Sequence, residues 1–150
     1  MLPGPLERGN VNVSGLPMER NFVTFNTGLF LDDQPDDELG QWFLGEDCAK
    51  WLHSKLLAVE GMAPGVEPLE EDWGGWTFRV RAYGVWFWIN IWPGLQERRT
   101  WIIGIEPRPI LAFLSKRARV AKAKLCDAID SALASSPEVT ECRWLDKHPD

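Results

Sequence analysis

Arg79 and Arg81, then Trp86, Trp88, Asn90 and Trp92, stand at alternate positions on either side of Tyr83-Gly84. Guanidinium groups and indole rings at that spacing can stack on one another or on a planar ligand. The guanidiniums can also hold a carboxylate or phosphate through paired N–H donors. A second set of candidates is acidic. Asp36, Asp37 and Glu38 lie within DDQPDDELG, and Glu70, Glu71 and Asp72 precede Trp73-Gly74-Gly75-Trp76. Clustered carboxylates attract hard cations or basic protein surfaces. The calcium-loop spacing D-x-[DN]-x-[DN]-G with a closing Glu is absent, so the first cluster reads as a solvated or partner-facing loop. At the second, carboxylates beside aromatics suit glycoside hydrolysis, but consecutive residues do not place a second carboxylate across a scissile bond. It too reads as a loop at a binding edge.

Other chemistry is not signalled. No phosphate loop, dinucleotide fingerprint, zinc spacing, nucleophile elbow or catalytic triad occurs. Of the two histidines, His53 falls off the apolar stripe of its helix and reads as a surface residue, and His148 falls in a short tail. Cys48, Cys126 and Cys142 do not pair evenly, and each replaces an apolar residue in a helix or strand pattern. They read as buried free thiols rather than metal ligands or a redox pair. No catalytic residue, metal or cofactor is assigned, and an enzyme is disfavoured.

The elements that position the Trp/Arg set are strands. Six of the nine tryptophans fall between Glu71 and Pro107. From Trp76, Phe78, Val80 and Ala82 alternate with Thr77, Arg79, Arg81 and Tyr83. From Val85, Phe87, Ile89 and Ile91 alternate with Trp86, Trp88, Asn90 and Trp92. Period two is a strand signal. A two-residue hairpin turn at Tyr83-Gly84 pairs Ala82 with Val85, Val80 with Phe87, Phe78 with Ile89 and Trp76 with Ile91. Arg79 then opposes Trp88, and Arg81 opposes Trp86. A third strand, Thr100 to Glu106, is expected after the Pro93-Gly94 turn, with Ile91 opposite Trp101, Ile89 opposite Ile103 and Phe87 opposite Ile105. In that register Trp88 covers Gly104.

One apolar face results, and it needs a cover. Glu46 to Glu60 forms a helix whose stripe is Cys48, Trp51, Leu52, Leu56 and Val59. Pro109 to about Ala134 forms a second, with Ile110, Leu114, Ala118, Ala121, Leu125, Ala128, Ile129 and Ala132 as its stripe. Asn21 to Leu31 and Val139 to Trp144 read as flanking strands, and Met62 to Asp72 as a Pro/Gly loop. The fold class is α+β, with the element order β-α-β-β-β-α-β. It is a two-layer sandwich: a mainly antiparallel sheet of about five strands with both helices on one face, ferredoxin-like in its layering. Residues 1–20 read as a disordered or peripheral arm, with Met18 a plausible native start, 21–146 as a single domain and 147–150 as a tail.

Composition bounds the function. The chain has 150 residues, 45% hydrophobic and 25% charged, with net charge −6. This suits one globular domain, and neither a membrane span nor a leader is evident, so a cytoplasmic location is expected. A net negative charge disfavours nucleic acid as a partner. Yet Lys116, Arg117, Arg119, Lys122 and Lys124 give one helix five positive charges, leaving −11 for the remainder once subtracted from −6. That run reads as a solvated face that can also meet phosphate or an acidic partner.

Three uses of the Trp/Arg face follow. One is a non-enzymatic protein-binding module, an inhibitor or immunity-type protein, docking through that face or through the acidic loops on a partner with basic charge. Self-pairing of the face in a homodimer belongs to the same class. The second is a sensor that stacks a planar anionic ligand. The third, single-stranded RNA on the aromatic sheet, has the charge balance against it.

Overall fold

A computed structural model of the chain describes residues 19–30, 45–65, 69–70, 75–94, 100–108 and 115–149. In chain order the elements are β1 (Phe22–Thr27), α1 (Glu46–Leu57), β2 (Met62–Pro64), β3 (Leu69–Glu70), β4 (Trp76–Ala82), β5 (Val85–Pro93), β6 (Thr100–Arg108), α2 (Lys116–Ala134) and β7 (Val139–Leu145). The strands form one sheet in the order β2-β4-β5-β6-β1-β7, with β3 also paired to β4. Every neighbouring pair is antiparallel. This is the expected α+β sandwich with more strands than expected. The ferredoxin-like likeness is one of layers.

The two additional strands, β2 and β3, lie in the Pro/Gly segment expected to be a loop. Met62, Ala63 and Pro64 pair with Ala82, Arg81 and Val80. Pro64 ends that pairing on the edge of the sheet, where a missing N–H costs no ladder bond.

Alternation decides which way each strand faces. Phe78, Val80, Ala82, Phe87, Ile89, Ile91, Trp101, Ile103 and Ile105 form one buried cluster with Val23 and Phe25 of β1. Cys48, Ala49, Leu52 and Leu56 of α1 and Ala121, Leu125, Cys126, Ile129 and Leu133 of α2 close the cluster from above. Both helices therefore cover the same face of the sheet. Each large side chain fully buried there stabilises by roughly 1.5–3 kcal/mol before chain entropy is subtracted. In α2 the buried position is Leu133 rather than Ala132, and Ala128 is half-buried. α2 also begins at Lys116, not Pro109. Ser115 caps it, accepting the Ala118 N–H at 2.9 Å, and β6 runs on through Pro107 to Arg108.

The hairpin register agrees with expectation at every pair from Trp76↔Ile91 to Ala82↔Val85. The next pair does not. Ile91 faces Ile103, Ile89 faces Ile105 and Phe87 faces Pro107, a displacement of two residues. The cause is that Pro93 and Pro107 both stay inside paired strands instead of ending them. Pro93 faces Trp101, and Gly94 N–H closes the turn on the Thr100 carbonyl at 2.7 Å. Because the displacement is even, no side chain changes face.

β7 pairs with β1 through a bulge. Thr24 faces Arg143 and Asn26 faces Thr140, leaving Glu141 and Cys142 opposite Phe25 alone. Glu141 has φ 55, the left-handed region that non-glycine residues seldom enter. The extra residue shifts the alternation, so that Val139 and Trp144 both pack on the core. Cys142 lies within the bulge and is exposed, whereas Cys48 and Cys126 are buried as expected. Burial raises the Cys48 thiol pKa and pushes that of Cys126 up to about 11, with Arg20 and Lys122 partly opposing the latter.

Candidate functional site: the outer face of the sheet

The face away from the helices is laid out in cross-strand rows. Nearest the Tyr83-Gly84 turn, Ala63, Arg81 and Trp86 occupy successive strands. The next row is Arg79, Trp88 and Glu106. Then come Thr77, Asn90, Gly104, Phe22 and Leu145, and after them Trp92, Ile102, Thr24 and Arg143. Arginine and tryptophan therefore concentrate in the two rows at the hairpin tip.

In those rows the side chains form a stacked cluster. The Arg79 guanidinium carbon lies 5.1 Å from the centre of the Trp86 ring and 5.9 Å from that of Trp88. Arg81 lies 6.0 Å from the Trp86 ring. Arg79 and Arg81 are exposed, Trp86 keeps 37% of its surface accessible, and Trp88 is half-buried. Each cation–π contact contributes about 0.5–1 kcal/mol while solvated and about 2 kcal/mol when water is excluded. The strands that carry them are held on both sides by neighbours, so the cluster is presented on a rigid base.

The remaining rows are closed by the chain itself. Trp92 packs against Phe22, with ring centroids 6.4 Å apart, and His148 from the last residues meets both edge-on, at 5.4 Å from Phe22 and 5.2 Å from Trp92. Gly104 permits this packing. A Cβ there would stand 2.9 Å from Trp92 and 3.0 Å from Phe22. The sequence-based register gave the cover of Gly104 to Trp88, and the two-residue displacement of β6 gives it to Trp92. Ile102 is 2% exposed although it faces away from the core. Thr77 Oγ1, also buried, donates to the Ile89 carbonyl or to Asn90 Oδ1, each 3.0 Å away. Farther along, Thr100 Oγ1 donates to Asn26 Oδ1 at 2.8 Å, and Asn26 Nδ2 donates to Glu141 Oε2 at 2.7 Å.

The sequence-based candidates thus separate. Arg79, Arg81, Trp86 and Trp88 come together. Asn90 is engaged with Thr77, and Trp92 with Phe22 and His148. Of the acidic candidates, Glu70 lies in β3 opposite Trp76. Asp36, Asp37, Glu38, Glu71 and Asp72 lie outside the described residues.

His53, expected at the surface, is half-buried. Its Nε2 donates to the Gly65 carbonyl at 3.0 Å, and its ring meets Phe78 edge-on at 5.2 Å. It pins α1 to the segment after β2 and stands on the opposite side of the sheet from the Trp/Arg cluster. Among the described residues no group of three or more His, Cys, Asp or Glu is placed to hold a metal ion. Among them also, no helix is long and apolar enough to cross a membrane.

Sequence reasoning missed the surroundings of Tyr83. This residue occupies the turn with φ 48 beside Gly84 at φ 84, and its N–H donates to the Gly61 carbonyl at 2.9 Å. Its hydroxyl reaches the Glu60 carbonyl at 3.3 Å, and its ring lies against Gly61, where any Cβ would collide with it. Lys124 Nζ lies 4.4 Å from the centre of that ring. The one available signal was the pair of glycines, Gly61 and Gly84, beside the only tyrosine.

The chain matches no family model, no curated protein and no solved structure. The geometry alone bears on its function.

Proposed function

We propose that this chain is a non-enzymatic protein-binding module, of the inhibitor or immunity kind, that docks through Arg79, Arg81, Trp86 and Trp88. One observation carries the reading. Two guanidiniums and two indoles, the residue types that anchor interfaces, lie mutually stacked at one end of a rigid sheet, while Trp92 and Phe22 of that face pack with each other and with His148. A partner that excludes water from the cluster strengthens the stacking already present and has two guanidiniums to pair with its carboxylates.

A planar small molecule fits this arrangement less well, because Arg79 already occupies the position over both indoles. Self-association through the same face brings Arg79 and Arg81 of one copy against the same pair of the other, and those like charges repel. A separate partner protein is therefore the favoured occupant. A cytoplasmic location belongs to the same proposal.

The test is affinity capture from the source cell with the intact chain and with Arg79→Glu/Arg81→Glu and Trp86→Ala variants. Purified captured protein is then titrated against each. The expected loss is about 2 kcal/mol or more in binding for Trp86→Ala. A captured protein that binds all three alike, or light scattering showing a dimer that both variants break, would rule against this reading. Quenching of tryptophan fluorescence by nucleotides or aromatic acids at micromolar concentration would favour the sensor instead.

A further inference from the structure

On the helix side of the molecule two shallow grooves meet at Tyr83. The larger, about 560 Å³, runs between the end of α1 and the second half of α2 and is bordered by Lys55, Val59, Met62, Lys124 and Ala128. The smaller, about 400 Å³, lies along the first half of α2, between Lys116, Arg117, Val120 and Lys124. Tyr83 and Lys124 belong to both. The floor is largely apolar, and Val120 leaves 47% of its surface exposed. The rim is positive: Lys55, Lys116, Arg117 and Lys124 are all exposed. Among the described residues none of the four is paired with a carboxylate. Asp127 borders the larger groove, but Arg20 binds it at 3.0 Å.

We infer that this double groove is a docking site for an acidic segment of a partner protein, with carboxylates at the Lys55–Lys124 and Lys116–Arg117 rims and an aliphatic side chain seated beside Tyr83. Charge complementarity selects the occupant. Four cations cluster here on a chain whose net charge is −6. Their field survives only at short range in salt, so an occupant must lie in the groove to use it. The ring geometry separates protein from nucleic acid. Gly61 packs against the Tyr83 ring and Lys124 Nζ lies 4.4 Å from its centre, so both neighbours compete with a base for the ring, and base stacking is what single-stranded nucleic acid requires of such a platform. The apolar floor likewise has nothing to offer a free phosphate. The site is distinct from the Trp/Arg cluster, which occupies the opposite face of the same hairpin.

The test uses the full chain, labelled with ¹⁵N, titrated with four probes: a synthetic peptide of alternating Glu and Leu, its Gln/Leu counterpart, inorganic phosphate and a single-stranded oligothymidylate. The Glu/Leu peptide is expected to shift the Gly61, Lys124 and Ala128 amides while leaving the indole N–H signals of Trp86 and Trp88 in place. The Gln/Leu peptide should bind at least about tenfold more weakly. Lys55→Glu/Lys124→Glu should weaken the Glu/Leu peptide by about tenfold or more, and Lys55→Gln/Lys124→Gln, which removes the two charges without reversing them, should do so by a smaller factor. The inference is overturned if no probe shifts those amides, if the Gln/Leu peptide binds equally well, or if both variants bind as the parent does. It is equally overturned if phosphate or oligothymidylate binds the groove more tightly than the peptide, or if the peptide moves the Trp86 and Trp88 signals instead.

Discussion

Trp86 and Trp92 lie on the same face of the same strand, near its two ends, and meet opposite fates. Trp92 is packed by Phe22 and His148 over a glycine that makes room for it. Trp86 has two arginines over it and more than a third of its surface in solvent. The same residue type in the same alternation thus serves packing at one end and display at the other. What decides between them is the cross-strand neighbour: glycine and phenylalanine close the surface, and arginine keeps it hydrated. An aromatic sheet face is therefore not by itself a recognition surface, and its neighbours must be read with it.

The contrast can be broken by substitution. Trp92→Ala, which empties the packed end, should cost about 3–4 kcal/mol in urea unfolding, as for large aromatic side chains removed from packed sites. If the loss is under about 1 kcal/mol, Trp92 is displayed rather than packed. The thiols repeat the division between sealed and open positions. Folding holds the Cys126 proton up to about pH 11, while the unfolded chain releases it near 9.0. Stability contributed by the protonated thiol is complete below pH 9 and is lost as pH rises toward 11. The loss should reach up to about 3 kcal/mol at 1.4 kcal/mol per unit, with Cys48 adding to it in the same direction. Cys126→Ala should remove its share of the alkaline loss, and Cys142 should react first with a thiol reagent on the folded chain.

Gly104→Ala should cost about 2 kcal/mol, because the new methyl group meets Trp92 and Phe22 on a backbone that cannot retreat from its two neighbouring strands. The cost should shrink in the Trp92→Ala background, so a double-mutant cycle reads the coupling directly. Trp86→Ala should change unfolding by about 1–2 kcal/mol, the worth of its two solvated stacking contacts, and a larger loss would move Trp86 into the packed class. The smallest effect concerns the acidic loop. Asp36→Asn/Asp37→Asn/Glu38→Gln should leave unfolding within about 0.5 kcal/mol and slow association with a basic partner a few-fold at low salt, as read by stopped flow.

The β4–β5 pairing was legible because a two-residue turn leaves only one register in which every apolar residue meets another. β5–β6 was legible in facing but not in register. Pro93 and Pro107 look like strand ends, whereas the structure keeps both in the ladder, and a longer turn does not fix the offset by its own length. The bulge at Glu141 was invisible, since nothing in VTECRW marks a residue that adopts positive φ; with it went the placement of Cys142. At the candidate site, the meeting of Arg79 and Arg81 with Trp86 and Trp88 follows from the turn alone. The capture of Trp92 by His148 depends on residues distant in sequence, which alternation cannot report. The joint at Tyr83 was illegible for the same reason, since Glu60 and Gly61 reach it from the connection between α1 and β2 and Lys124 from α2.

The bulge in β7 has a consequence for how the protein meets others. β7 is the outermost strand on its side of the sheet, and the left-handed residue at Glu141 throws its backbone groups out of step. An incoming strand would find no continuous run of donors and acceptors to copy, and Glu141 and Arg143 add charge along that rim. Among the described residues the opposite rim offers the three residues of β2 and the two of β3. Neither described margin offers a long regular edge to an added strand, which leaves side chains as the groups these margins present to other chains.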